Sequence, residues 1–145
     1  MLAITMSGPS IPPAWDSKSG RNIDFYDLKG VIEELFKGLG CTSVQYIPET
    51  ADPRFNPGKC ARILVEGKQG GVFGEIHPLV KEEYEFDNAE VQAAEFDVDI
   101  LMELQADYQI EPVSAFPPIL EDIALVVDES TPAGQVESLI RQTGG

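Results

Sequence analysis

Between residues 24 and 40, in DFYDLKGVIEELFKGLG, apolar side chains return every three or four positions: Phe25, Leu28, Val31, Ile32, Leu35, Phe36 and Leu39. That period predicts an α-helix with one buried face. Asp24 stands where an N-cap is needed, Glu33 and Lys37 are spaced as an i,i+4 ion pair on the wet side, and Gly40 is placed to end the helix in a left-handed conformation. Gly30 is discordant, because glycine inside a helix costs about 1 kcal/mol relative to alanine. A close backbone contact is expected to explain it.

Elsewhere the pattern shortens to strands. LAITMS (2–7) reads as an apolar strand, and the prolines of GPSIPP (8–13) turn it into a loop with Trp15 at its edge. A strand over 42–47 leads to the loop PETADPRFNPG. CARILVEG and GGVFGEIHP then predict an antiparallel hairpin turning around Gly67 and Lys68. PLVKEEYEF (78–86) reads as a short helix opened by Pro78, where the missing N–H is no loss. VQAAEFDV (91–98) alternates Ala94, Phe96 and Val98 onto one face as a strand, and a helical turn follows over 99–104.

Composition shifts at YQIEPVSAFPPILED, whose three prolines predict a linker and a domain boundary. Beyond it stand a strand, DIALVVD (122–128), and a helix capped by Thr131, with Pro132 at its first position and Val136, Leu139 and Ile140 facing inward. One strand and one helix are too little to close a core, so this second unit reads as incomplete.

Charge narrows the chemistry. The chain has 145 residues, and its 25 acidic against 10 basic side chains give a net charge of −15, a surface that repels phosphate and disfavours tight RNA binding by this chain alone. Apolar runs such as IALVV (123–127) fall far short of the roughly 20 residues that span a bilayer, and no basic segment precedes an apolar stretch at the N-terminus. A soluble, unsecreted protein is expected, with Cys41 and Cys60 as reduced thiols.

No chemical motif closes. In EGKQGGVFGEIHP (66–78) the glycines precede and interrupt a strand instead of opening a helix, so Gly67, Gly70 and Gly71 are expected to make a turn and Gly74 a bulge or tight packing, not a phosphate cradle. Cys60 and His77 offer a nucleophile and a base without an identifiable orienting third group. One histidine and two cysteines 19 positions apart do not close a tetrahedral zinc site. The pairs Glu49 and Asp52, Asp97 and Asp99, and Glu121 and Asp122 lack the spacing of a calcium loop.

The blocks DFYDLKGVIEELFKGLG, FNPGKCARILVEGKQGGVFGEIHPLV, AEFDVDIL and FPPILEDIALVVDESTPAGQVESLIRQTGG resemble, in order and spacing, the C-terminal part of the β subunit of bacterial phenylalanine-tRNA ligase, from about Trp15 to the end. The resemblance implies an α+β fold: over 1–111 a catalytic-like but non-catalytic module, with the antiparallel sheet and flanking helices of a degenerate class II aminoacyl-tRNA synthetase core. Over 112–145 it implies a linker and the opening strand and helix of a ferredoxin-like anticodon-binding domain, truncated, so that the chain reads as a fragment of a longer subunit. It implies a cytoplasmic α2β2 parent that attaches phenylalanine to tRNA(Phe) with ATP and magnesium. Activation belongs to the α subunit and editing to upstream segments, so no catalytic, cofactor-binding or metal residue is carried onto this chain, which alone is expected to be inactive. Asn56 stands where the family pattern has histidine, Lys59 where arginine is common, and Glu121 where a basic residue precedes the aspartate. The last weakens any tRNA contact by this segment. Self-association of the isolated chain is expected. Two other readings compete: an acidic protein-interaction module for a basic partner, and a cysteine hydrolase using Cys60 and His77.

Overall fold

A computed structural model describes residues 1–12, 14–16, 20–41, 43–86, 89–103, 117 and 121–143. The chain divides into two compact units, Met1–Gln109 and Ile110–Gly145. Most of the expected linker lies outside the described residues.

The first unit is built on five strands: β1 (Leu2–Ser7), β2 (Val44–Pro48), β3 (Phe55–Val65), β4 (Lys68–Ile76) and β5 (Val91–Phe96). Their order across the sheet is β1-β5-β4-β3-β2, and every neighbouring pair is antiparallel. Among the described residues three helices flank it: α1 (Phe25–Gly38), α2 (Pro78–Glu83) and α3 (Val98–Glu103). The chain is thus an α+β protein with a helix-flanked antiparallel sheet, and Val98, expected at the end of β5, opens α3 instead.

Helix α1 starts and stops as its sequence directs. Asp24 accepts from Tyr26 N and Asp27 N while the Asp27 side chain accepts from Asp24 N, a reciprocal capping box. Arg21 adds hydrogen bonds to Asp27 at 2.5 and 2.7 Å. At the other end Cys41 N–H reaches the Phe36 carbonyl and Gly40 N–H the Lys37 carbonyl, both at 3.0 Å, closing a Schellman motif around Gly40. Leu28, Ile32 and Phe36 are buried and pack on Ala61, Ile63, Val65, Phe73, Ala94 and Phe96, and Leu101 of α3 joins them. Burial of each larger side chain contributes about 2 kcal/mol. Three expectations are corrected here. Val31 is 42% exposed, because it lies at the margin of the apolar stripe. Lys37 pairs with Glu34, because Glu33 is taken by Lys29, which also lies 4.7 Å above the Tyr46 ring. The close contact expected at Gly30 is absent: a Cβ there would enter open space.

Hairpin β3–β4 turns at Glu66 and Gly67, one residue earlier than expected. Both have positive φ, 50° and 79°, which defines a type I′ turn between Val65 and Lys68. Gly70 then forms a bulge, since pairing passes from Leu64↔Gln69 to Ile63↔Gly71. A larger excursion, Asn56 to Lys59, separates Phe55↔Ile76 from Cys60↔Gly74, and within it Gly58 N–H bonds the Asn56 side chain at 3.1 Å. Ahead of α1, the loop after β1 is closed at its base by Ser10 N–H to Arg21 O (2.8 Å) and Ile23 N–H to Gly8 O (2.9 Å), and it holds Trp15 99% exposed.

In the second unit helix α4 spans Ala133–Thr143, so Pro132 lies just ahead of its first residue. The expected strand over 122–128 makes no ladder among the described residues. Nor does α4 bury a residue: Leu139 is 60% and Ile140 42% exposed, against the inward-facing expectation. Among the described residues this segment has no sheet to join, so neither element gains a face to bury there. No helix among the described residues is long and apolar enough to cross a membrane.

Candidate functional site

Alternation along the central strands divides the sheet into two faces. Ala61, Ile63, Val65 and Phe73 meet α1, so Cys60, Arg62 and Val72 point to the opposite face. There Phe55, Cys60 and Val72 form a second small apolar cluster, with Ile76 and Ala93 packed against it. Its rim is charged and already paired. Arg54 bridges Asp52 (2.7 Å) and Glu95 (2.5 Å) while its guanidinium lies 5.4 Å from the Phe55 ring centre, and Arg62 pairs with Glu49 at 2.8 Å. Hydrogen bonding from Arg54 holds the Asp52 carboxyl below its usual range.

Cys60 sits inside this cluster, opposite Gly74 across the β3–β4 ladder. Burial first, and then the carboxylates of Asp52 and Glu49, push its thiol up to about 11. A nucleophile must be a thiolate, so at neutral pH this sulfur is inert packing. His77 is occupied differently: it is the N-cap of α2, and its Nδ1 accepts the Leu79 backbone N–H at 3.2 Å. No hydrogen bond links the two side chains among the described residues, so the sequence pair is not assembled into a nucleophile and its base. Cys41 and Cys60 are not joined in a disulfide.

The glycines are structural as well. At Gly74 a Cβ would collide with the Lys59 carbonyl oxygen and the Cys60 Cα, which fixes glycine where β3 and β4 approach after the Asn56 to Lys59 excursion. Among the described residues no group of three or more His, Cys, Asp or Glu side chains is placed to hold a metal ion.

One polar arrangement escaped the sequence reading. Glu75, on the α1 face two residues after Phe73, keeps only 7% of its side chain accessible and lies 2.5 Å from Lys59 Nζ and 3.6 Å from Lys81 Nζ. Its cross-strand neighbour Gln92 is 1% exposed, with an Oε1 that has no partner among the described residues. The strand alternation of FGEI was the available signal: it puts a carboxylate inside, which is tolerated only when cations reach it. Lys59 and Lys81 do so from β3 and α2, tying both to the hairpin end.

These features define a scaffold: a helix-backed antiparallel sheet whose charged groups pair with one another and whose cysteine is held neutral. Residues 1–98 match the family described as the phenylalanyl tRNA synthetase beta chain CLM domain, and the chain belongs to that family. Phenylalanine–tRNA ligase beta subunits are similar to it along most or all of its length. The one from Clostridium acetobutylicum is 39% identical over 127 residues, 86% of this chain and 16% of the relative. That of Symbiobacterium thermophilum is 38% identical over 148 residues, covering 100% of this chain and 16% of the relative. That of Hahella chejuensis is 35% identical, with 100% and 18% covered. The chain therefore spans about a sixth of the curated relatives it matches.

Proposed function

We propose that this chain is a non-catalytic structural part of a phenylalanine–tRNA ligase β subunit, supporting ATP-dependent attachment of phenylalanine to tRNA(Phe) in the cytoplasm. The similarity across the whole chain to subunits of that name carries the reading. In it, residues 1–111 are a class II synthetase core emptied of its chemistry, and 112–145 open a ferredoxin-like anticodon-binding domain; the compact unit Met1–Gln109 supports the division. No residue here serves as catalytic, cofactor-binding or metal ligand. Arg54 and Arg62 are spent on Asp52, Glu95 and Glu49, and Gly74 lies inside β4 and does not open a helix. In this reading ATP and magnesium are handled elsewhere in the parent enzyme. tRNA contact by this chain is weak or none, in keeping with a net charge of −15.

The partner is the ligase α subunit. Co-expression of the chain with the α subunit of its own source, followed by affinity capture, is expected to recover the α subunit at salt concentrations that strip weak ionic contacts. Failure to capture it, while an unrelated basic protein is retained, would favour the acidic interaction module instead.

A further inference from the structure

Helix α2 is joined to the sheet through one shared carboxylate. No residue of α2 is fully buried, and none belongs to either apolar cluster. Leu79 on the helix is 68% exposed, and Tyr84 and Phe86 in the turn after it are 70% and 51% exposed. That turn closes the helix as a Schellman motif, with Phe86 N–H bonded to the Lys81 carbonyl at 2.9 Å and Glu85 N–H to the Glu82 carbonyl at 3.2 Å. Glu85 takes the left-handed position at φ 57°, where glycine is preferred, so the turn is strained. The polar tie to the sheet is Lys81, whose Nζ donates to the Ala89 carbonyl at 3.2 Å and lies 3.6 Å from Glu75 Oε1.

Glu75 carries one charge and faces two ammonium groups. Lys59 is the closer, 2.5 Å from Oε2, and the carboxylates of Glu90 and Asp24 also act on it through space. The two lysines repel each other at the shared carboxylate, so each weakens the other's pair. Breaking a buried pair ordinarily strands a charge, but here Lys59 keeps Glu75 compensated when Lys81 leaves. Across from Glu75 lies Gln92, 1% exposed, whose Oε1 has no partner among the described residues and would gain one from entering water. We propose that α2 is a strap that opens and closes over Glu75 as a local unit while the sheet stays folded, with Lys81 as its latch and Lys59 as the standby counter-ion that lets the latch release. The hinge follows His77, whose N–H stays bonded to the Arg54 carbonyl at 2.9 Å and holds the sheet side in place. The proposal does not rest on the ligase reading.

Amide hydrogen exchange on the full chain, followed residue by residue by NMR, reads the opening directly. In the unaltered protein the Tyr84 and Phe86 amides are expected to exchange faster than the paired amides of β4, at rates that low concentrations of urea barely change. Lys81→Met removes the latch and is expected to speed both roughly tenfold without changing β4. Lys59→Met removes the competing cation, leaves Lys81 as the lysine paired with Glu75, and is expected to slow both roughly tenfold, with circular dichroism confirming an unchanged fold. If the two lysines were independent supports, losing either would loosen α2, so the sign of the Lys59→Met effect separates the cases. Exchange of α2 only together with β4 in the unaltered protein, or α2 amides that speed up or stay unchanged in Lys59→Met, overturns the proposal.

Discussion

Glycine carries opposite meanings at two positions of this chain. Gly30 lies on α1 with open space where a Cβ would project, so it retains the helix penalty without a packing gain. Gly30→Ala is expected to stabilise the protein by about 1 kcal/mol, seen as a higher urea midpoint at unchanged slope. Gly74 has backbone where a Cβ would go, and Gly74→Ala is expected to cost about 3 kcal/mol in the same measurement. Cys60 gives a third residue-scale outcome. With its thiol pushed up to about 11, iodoacetamide should leave it unmodified in the folded protein near pH 8 and label it once urea unfolds the chain. Rapid native-state labelling of Cys60 itself, distinguished from the half-buried Cys41 by peptide mapping, would instead support the hydrolase reading.

At the scale of elements, α1 was the most legible, since its apolar period, Asp24 cap and Gly40 stop all lie within one local stretch. The five strands of the sheet were legible because each is bounded by proline, glycine or an acidic turn, although β3 starts at Phe55, inside the stretch PETADPRFNPG expected to be loop. What sequence could not supply was competition between neighbours: Glu33 goes to Lys29 because Tyr46, from a strand 15 residues later, holds that lysine in place. The buried Glu75 depended likewise on two lysines from separate elements. Over 122–128 the apolar run was read as a strand, but a strand exists only through a partner, and the described residues provide none. As to the candidate site, sequence gave the residue types at 60 and 77, while the occupation of His77 Nδ1 by the Leu79 N–H depends on where α2 begins. The capping box of α1 adds a pH dependence. Its Asp27 carboxyl is lowered from 3.8 to about 2, chiefly by the hydrogen bond from Arg21. A depressed folded-state value means that its contribution is present above about pH 4 and lost as pH falls toward 2. Asp27→Asn should therefore unfold at a lower temperature than the parent at neutral pH, and the two melting curves should converge near pH 2.

For the whole molecule, the unit Met1–Gln109 has a closed core of its own, whereas in Ile110–Gly145 most of the described apolar residues, Ile123, Leu125, Val126, Val127, Leu139 and Ile140 among them, are exposed. This contrast fits a chain that spans about a sixth of the relatives it matches. The central claim is that the sheet has kept the packing of a synthetase core without its reactive groups. Phenylalanine-dependent ATP–pyrophosphate exchange by the purified chain tests it most directly. Exchange no greater than that of a buffer blank is the expected result, and exchange that requires phenylalanine and scales with the concentration of this chain would contradict it.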